Sequence, residues 1–302
     1  MQNTAHLLMI QPVDFGFNAE TALNNTFQKN ISVDVQQKAL QEFNDFVAVL
    51  RKNKVNVTVV ADSLKPSTPD SIFPNNWISF HADGRIFLYP MFAVNRRQER
   101  KTAVLDAVKN EFSVTKIIDL SKSESDHLFL EGTGSMVLDR ENKIAYASLS
   151  PRTDKKILNA FCNMVGYSPV IFTATDNTGV AIYHTNVMMC IADCYAVICL
   201  ESITVDAERK NVITSLQKTN KEIVEISLRQ LNSFAGNMLQ VKNADDELLL
   251  VMSTQAYKSL TDAQIKTLKK HNRIIYSSLN TIETAGGGSA RCMMAEVFLE
   301  KK

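Results

Sequence analysis

The chain of 302 residues is 45% hydrophobic and carries 33 basic against 32 acidic residues, a composition typical of globular proteins with a large buried core. Its net charge of +1 gives no electrostatic indication of nucleic acid or a membrane surface as a partner. No apolar run reaches the roughly eighteen residues of a membrane span, and residues 1–14 lack a basic segment followed by an apolar one. We therefore expect a cytoplasmic protein without nucleic-acid or membrane partners.

Cysteine usage points to a reducing compartment. The five cysteines are an odd number in mostly apolar surroundings, which favours free thiols over a disulfide framework. Cys190, Cys194 and Cys199 follow one another at steps of four and five residues, unlike the paired Cys-x-x-Cys of a zinc site. We expect core thiols here and no metal. No Pro/Gly-rich linker divides the chain, so a single domain over residues 1–302 is expected.

Short strands and helices alternate along the chain. Apolar residues at three- and four-residue steps predict helices, best seen at 35–50 and 257–268. Apolar and β-branched runs predict strands, which are in chain order 7–10, 55–60, 77–80 with 86–89, 115–118, 135–138 with 144–147, 170–173, 187–191 with 196–200, 223–226, 238–241 with 248–252, 274–276 and 293–299. These elements form five strand–strand–helix–strand units, the last completed by the strand at 7–10. A repeat of about fifty to sixty residues indicates a propeller or an array.

Residues capable of chemistry recur with the same period. Asn76, Glu131, His184, Asn237 and Cys292 are separated by 55, 53, 53 and 55 residues. A predicted strand pair follows each of the first four, and the predicted strand 293–299 follows the fifth. The sequence therefore predicts an internal repeat with one site residue in each unit.

Cys292 is the candidate nucleophile. It follows a glycine run at 286–288, where a ligand can approach the backbone and N–H groups near Gly288 can stabilise developing charge. Arg291 beside it is expected to favour the thiolate. An isolated cysteine at the start of a strand is more often a small core residue, but the glycine run and the period favour the nucleophile.

His184 and Glu131 are the candidate partners of this thiol. A histidine near a nucleophilic cysteine can activate it and later protonate a leaving group. His184 is the only one of the five histidines that falls on the period, although strand-edge histidines are more often structural. Glu131 opens a glycine-rich segment, where its carboxylate could bind a substrate nitrogen or be a solvated loop acid.

Eight segments in a fixed order carry a resemblance to known proteins. They are residues 15–28, 73–77, 96–100, 131–135, 148–153, 184–186, 234–238 and 286–292. Together they resemble the guanidine-modifying superfamily of arginine deiminase, dimethylarginine hydrolase and the amidinotransferases, and most closely its citrulline-utilisation hydrolase branch. The resemblance covers nearly the whole chain. It implies an α/β fold, a five-bladed pseudo-symmetric propeller (pentein) built from ββαβ repeats.

The resemblance also implies roles for individual residues. A cysteine matching Cys292 attacks the substrate carbon and forms a covalent intermediate, a histidine matching His184 moves protons, and a glutamate matching Glu131 contacts substrate nitrogens. Arginines in segments like 96–100 and 148–153 order the pocket or bind the substrate carboxylate. Of these, Arg97 and especially Arg152 are expected in the site, since the guanidinium fork suits a carboxylate.

Two departures from the superfamily pattern indicate the substrate. Arginine-processing members carry aspartate where this chain has Asn76, and deiminases carry a second aspartate where it has Asn186. An amide both donates and accepts hydrogen bonds, whereas a carboxylate buried against a neutral ligand would be an unpaired charge. Together with Asn237, these residues are expected to bind a neutral ureido group such as that of citrulline.

The expected reaction is hydrolysis of citrulline to ornithine, carbon dioxide and ammonia through a carbamoyl-cysteine, with no cofactor and a small amino acid as the binding partner. One alternative keeps the thiol chemistry but takes a guanidino substrate, as an arginine deiminase, dimethylarginine hydrolase or amidinotransferase does. Another is a non-catalytic binding propeller. A homodimer is compatible with the sequence, although no pattern indicates one.

Overall fold

The computed structural model describes residues 1–31 and 34–302. Its strands are β1 His6–Gln11, β2 Asn56–Ala61, β3 Ile78–Phe80, β4 Arg85–Leu88, β5 Lys116–Asp119, β6 Val137–Asp139, β7 Ile144–Ser148, β8 Ser168–Phe172, β9 Met189–Ile191, β10 Tyr195–Ile198, β11 Glu222–Glu225, β12 Leu239–Lys242, β13 Leu248–Ser253, β14 Arg273–Ser277 and β15 Ala295–Glu296.

Helices connect these strands. The α-helices are α1 Ala19–Ala22, α2 Val35–Lys52, α3 Thr102–Glu111, α4 Gly132–Ser135, α5 Lys155–Val165, α6 Thr185–Met188, α7 Asp206–Lys218, α8 Leu228–Leu231, α9 Thr254–Ser259, α10 Asp262–Lys269 and α11 Asn280–Gly286. Short 3₁₀ turns span Pro74–Asn76, Asn95–Glu99, Ser121–Asp126, Leu200–Ser202 and Ala290–Met293. Among the described helices, none combines the length and the apolar character needed to cross a bilayer.

Within the described residues, the strands form five three-stranded sheets. In four of them, β3-β4-β5, β6-β7-β8, β11-β10-β9 and β12-β13-β14, a hairpin supplies an antiparallel pair and the strand after the crossover helix adds in parallel. A parallel strand requires such a crossover, which is why each unit contains a helix. The predicted five-bladed α/β propeller is confirmed.

The fifth sheet joins the two ends of the chain. β1 lies between β15 and β2, so that Leu8 pairs antiparallel with Ala295 and parallel with Thr58. Leu7, Leu8 and Met9 are fully buried. The predicted strand at 7–10 therefore occupies the position that the second strand of the hairpin, which is the central strand of the sheet, holds in the other four units.

The hydrophobic core lies between the sheets and their helices. On α2, Ala39, Phe43, Phe46, Val47 and Leu50 are buried, which is the three- and four-residue spacing of one helix face. The side chains of this face pack in one cluster with those of the fifth sheet. The predicted helix at 35–50 is therefore confirmed, and its apolar face packs into the core.

Two predicted elements differ in the structure. The predicted helix at 257–268 is interrupted because Thr261 is extended and its side chain accepts a hydrogen bond from Gln264 N–H, which starts α10 as a new helix. The predicted strand at 293–299 is reduced to the two residues of β15. Cys292 therefore lies in the turn Ala290–Met293 rather than at the start of a strand, because its N–H bonds back to Ser289 O at 3.0 Å.

Candidate active site

The five periodic residues share one structural position. Each lies in the short segment that leads into the first strand of a sheet, and at four of the five positions this segment contains a single helical turn. Asn76 ends the turn before β3, Glu131 precedes α4, His184 precedes α6, and Cys292 lies in the turn before β15. Asn237 follows a non-helical turn and is separated from β12 by Met238 alone. All five side chains are at most 2% exposed.

Two amide groups point at the sulfur of Cys292. Asn237 Nδ2 lies 3.2 Å and Asn186 Nδ2 3.5 Å from Sγ. The Asn237 side chain also accepts from the N–H of Arg291 at 3.0 Å and donates to the carbonyl of Asn186 at 2.9 Å. Amide N–H groups aimed at a sulfur stabilise a negative charge on it, so this arrangement suits a thiolate nucleophile.

Arg291 lies within charge interaction of Cys292, but its hydrogen bonds go elsewhere. Its Nη1 donates to the carbonyl of Met294 at 2.7 Å, and its Nη2 forms a 2.9 Å ion pair with Glu296. The guanidinium is therefore occupied with the strand that follows the nucleophile. Among the described residues, the side chains that donate hydrogen bonds to the sulfur are the neutral amides.

His184 and Glu131 form a buried pair. The Nε2 atom of His184 lies 2.7 Å from Glu131 Oε2. Burial lowers the pKa of His184 to about 4, although Glu131 opposes this shift, so the imidazole is neutral at pH 7. Burial alone would raise the pKa of Glu131, but Arg152 and the bond from His184 hold it at about 2. The ionised carboxylate keeps the histidine proton on Nε2 and leaves Nδ1 as an acceptor.

Arg96 orients the amide of Asn76. Its Nη1 donates to Asn76 Oδ1 at 2.9 Å, while its Nε and Nη2 bind Glu99 at 2.8 and 3.0 Å. Since the oxygen of Asn76 is occupied by a cation, the other side of the amide presents N–H donors. One of these donates to Asn75 Oδ1 at 3.0 Å.

Asn76 and His184 meet across Gly134. A Cβ atom on this glycine would lie 2.5 Å from Asn76 Nδ2 and 2.8 Å from His184 Nδ1. Both distances are shorter than real carbon contacts, so only glycine fits between the two side chains. The glycine-rich segment after Glu131 therefore provides the close approach that the site needs.

The two predicted arginines have different positions. Arg152 is buried against Glu131, with 3.6 Å between Nη1 and Oε2, and its guanidinium lies over the Tyr183 ring at 4.9 Å. Its Nη2 donates to the carbonyl of Thr21 at 2.8 Å. Arg97 instead donates to the carbonyls of Met91 and Phe92, and lies 3.6 Å from Glu124.

Gly288 and its neighbours are held tightly in the turn before Cys292. A Cβ on Gly288 would lie 2.8 Å from the Phe73 ring, and the hydroxyl of Tyr183 donates to the carbonyl of Gly287 at 2.5 Å. The segment 15–28 closes over this turn, where Gln28 donates to the carbonyl of Gly286 at 3.0 Å. These contacts explain why the side chains of the site are almost inaccessible to solvent.

The chain also matches a known family. The family model described as N,N dimethylarginine dimethylhydrolase, eukaryotic, matches residues 11–299. The chain belongs to this family. It is therefore a hydrolytic enzyme of the amidinohydrolase type, and the predicted guanidine-modifying superfamily is confirmed. No curated protein matches the chain.

Solved structures of this superfamily share the fold. The N-terminal domain of ArgZ, an arginine dihydrolase from the cyanobacterial ornithine-ammonia cycle, matches with a TM-score of 0.76 at 18% identity over 98% of both chains. The dimethylarginine hydrolase of Pseudomonas aeruginosa, solved with citrulline, matches with a TM-score of 0.67 at 14% identity over 98% of this chain and 100% of that one. AgrE, solved with ornithine and NAD+, matches with a TM-score of 0.76 at 19% identity, but this chain spans only 39% of its length.

Most of the site residues predicted for this dimethylarginine hydrolase family member come together in the structure. The members of this cluster are Cys292, His184, Glu131, Asn76, Asn186, Asn237, Arg152 and Gly288. Arg97 is apart from them, because within residues 1–31 and 34–302 its side chain bonds to none of the others. The catalytic and binding roles of the cluster stay predictions.

Two buried acids near the site, Asp70 and Glu99, were not predicted from the sequence as site residues. Asp70 accepts from Asn18 at 2.8 Å and from Thr21 at 3.0 Å, and lies 3.8 Å from Arg96. Its Oδ1 has no hydrogen-bond partner among the described residues. Burial raises the pKa of Asp70, and burial raises the pKa of Glu99 to about 7. The only signal for Asp70 was its place just before the segment 73–77.

The remaining cysteines lie outside the site. Cys190 on β9 and Cys199 after β10 are buried, and Cys194 is exposed at the hairpin turn between these strands. In the part of the chain that the structure describes, no group of three or more histidine, cysteine or acidic side chains is arranged to hold a metal.

Proposed function

We propose that the protein hydrolyses citrulline to ornithine, carbon dioxide and ammonia. The observation that carries this proposal is the orientation of the two asparagines. Arg96 occupies the oxygen of Asn76 and Asn75 accepts one of its N–H groups, so the other N–H is offered to the ligand and suits a carbonyl oxygen. Asn186 Oδ1 is buried without a hydrogen-bond partner in the described chain, so it suits a ligand N–H. A ureido group supplies both.

Two further buried groups suit the carboxylate and the ammonium of an amino-acid substrate. Arg96 already donates to Glu99 and Asn76. Arg152 Nη1 donates no hydrogen bond among the described residues, so we assign it the substrate carboxylate. The free oxygen of Asp70 is the matching acceptor for the substrate ammonium.

The proposed reaction has two stages. The neutral His184 accepts the proton of Cys292 at Nδ1, and the sulfur attacks the ureido carbon, whose oxygen gains negative charge opposite the remaining N–H of Asn76. His184 returns the proton to the side-chain nitrogen as its bond to carbon breaks, which releases ornithine. Water, deprotonated by His184, then attacks the carbamoyl thioester. This step restores Cys292 and releases carbamate, which decomposes to carbon dioxide and ammonia.

A guanidino substrate is the second candidate, because the buried site has a surplus of acids. Among the described residues, Asp70, Glu99 and Glu131 face two guanidinium groups, Arg96 and Arg152. A cationic substrate such as arginine or a methylated arginine would balance the third carboxylate. The family description favours the same class.

The test compares wild type with Cys292→Ala and with the matched control Cys194→Ala, which removes an exposed cysteine. Each protein is incubated with citrulline, arginine and dimethylarginine, and the products are followed by mass spectrometry. We expect ornithine and ammonia from citrulline, lost only in Cys292→Ala. Citrulline accumulating from arginine or dimethylarginine would replace this proposal with the second candidate. A protein inert to all three substrates would contradict both.

A further inference from the structure

Glu283 is a buried acid without a role in the proposed reaction. It lies on α11, one turn before the glycine run, and is only 2% exposed. Its Oε1 accepts from Ser289 Oγ at 2.6 Å, and Ser253 on β13 offers a second hydroxyl to the carboxylate, whose Oε2 has no other hydrogen-bond partner among the residues described. Two neutral hydroxyls compensate a buried negative charge poorly, so this carboxylate calls for an explanation.

The partner of Glu283 belongs to residues 286–292, the segment that ends in Cys292 and is called here the nucleophile turn. The carbonyl of Ser289 accepts from the N–H of Cys292 at 3.0 Å, and the carbonyl of Glu283 accepts from the N–H of Gly287 at 3.1 Å. The side chain and the backbone carbonyl of Glu283 therefore both accept hydrogen bonds from the segment that carries the sulfur. Neutral groups also hold this segment, namely Tyr183 on Gly287 and Asn237 on Arg291.

The charges around Glu283 do not compensate its ionised form. Glu42 on α2 adds a second negative charge beside Glu283, and its carboxylate accepts from the N–H groups of Thr281 and Ile282. Lys29 and Asp176, which carry opposite charges, line the same cavity of about 380 Å³ as Glu283. Burial, with a smaller contribution from Glu42, raises the pKa of Glu283 to about 7.

We propose that Glu283 is a positioning residue for Cys292, whose bond from Ser289 shapes the nucleophile turn and whose ionisation opposes formation of the thiolate. This inference rests on the proposed role of Cys292 as nucleophile. A negative charge next to the turn disfavours a second negative charge on the sulfur, because both residues are only 2% exposed and water screens their repulsion little. Protonated Glu283 keeps the bond from Ser289 without that repulsion.

The experiment separates the charge from the hydrogen bond. Glu283→Gln retains an oxygen that accepts from Ser289 but cannot ionise, whereas Glu283→Leu removes both functions. Alkylation of Cys292 by iodoacetamide is measured from pH 5.5 to 9, with Cys292→Ala to identify the labelled site and the exposed Glu141→Gln as the charge control. We expect Glu283→Gln to react like wild type at pH 5.5 and several-fold faster at pH 8 and above. Glu283→Leu should react more slowly than Glu283→Gln throughout.

The outcomes distinguish this inference from the proposed function. If Cys292→Ala retains the substrate turnover of wild type, the nucleophile assignment itself fails. If Cys292 is reactive but folded Glu283→Gln follows the wild-type pH profile, the role of Glu283 is overturned. Circular dichroism of each variant shows that it is folded. Ser289→Ala, which removes only the donor, should slow alkylation as Glu283→Leu does, and an unchanged rate would also overturn the proposal.

Discussion

Asn76 shows how one neighbour determines what a side chain offers to a ligand. An amide can present either its oxygen or its nitrogen, and here the guanidinium of Arg96 at 2.9 Å takes the oxygen. Arg96 is itself held by Glu99 at 2.8 Å. A chain of buried charges thus determines that Asn76 acts as a donor.

This arrangement makes Asn76→Asp a sharp test of substrate choice. The aspartate keeps the acceptor for Arg96 but loses the N–H donors, and it adds a negative charge that favours a guanidinium. We expect kcat/KM for citrulline to fall by about 100-fold, the usual effect of removing one donor to a developing oxyanion. Arginine should bind more tightly as a competing ligand.

The control is Asn44→Asp, which adds the same charge at an exposed position of α2. It should leave both substrates unaffected. Equal loss of citrulline turnover in the two variants would show that added charge, and not the Asn76 donor, matters. An Asn76→Asp variant that retains full citrulline turnover would remove the main support for the ureido substrate.

Among the elements, the one-turn helices before the first strands position the site. α4 is the clearest case, since Glu131 precedes it and Gly134 within it separates Asn76 from His184. So short a helix has little stability of its own and is maintained by its tertiary contacts. The contacts made by the site residues therefore determine the geometry of α4.

Gly134→Ala should disable the enzyme without unfolding it. The added methyl would lie 2.5 Å from Asn76 Nδ2 and 2.8 Å from His184 Nδ1, so one of these side chains must move. A displacement of about 1 Å in a reacting group costs about 100-fold in rate, and we expect a loss of this size in kcat.

The matched variant is Gly166→Ala, at the end of α5, where a Cβ meets no atom of the described residues within 4 Å. Because Gly166 has a φ of +72°, this change should cost about 1 kcal/mol of stability and leave kcat intact. Steady-state kinetics and thermal unfolding of both variants check the prediction. Comparable kcat values in the two would mean that the site tolerates a shift of Asn76 or His184.

For the whole molecule, buried histidines link stability to pH. His81 is 6% exposed, bonds Ser79 Oγ at 3.0 Å and packs against Phe87. Burial lowers the pKa of His81 to about 3, so the unfolded chain takes up a proton below pH 6.5 while the folded chain does not. Its contribution to stability is present above pH 6.5 and is lost as the pH falls towards 3.

His81→Gln should reduce this dependence. Between pH 6.5 and 5, we expect the free energy of unfolding of wild type to fall by about 2 kcal/mol more than that of the variant, at about 1.4 kcal/mol per pH unit. Urea unfolding at several pH values measures the difference. His127→Gln, which removes an exposed imidazole, is the control. Parallel curves for wild type and His81→Gln would contradict the prediction.

The sequence by itself determined the repeat, the fold class and most members of the site. Alternating apolar residues specify strands locally, and residues spaced by 53 or 55 positions fall at equivalent points of successive units. Equivalent points of a closed ring of sheets face a common centre. For this reason Cys292, His184 and Glu131 could be found before any contact was known.

Only the tertiary structure decided which groups touch. Arg96 and Arg97 are adjacent in sequence, yet the first is buried against Asn76 and the second binds backbone carbonyls near Glu124. The place of Asp70 in the site has no local signature, because its partners Asn18 and Arg96 are distant in sequence. Hydrogen-bond direction and buried charge arise from packing between units. They decide the chemistry of the site, and no periodicity encodes them.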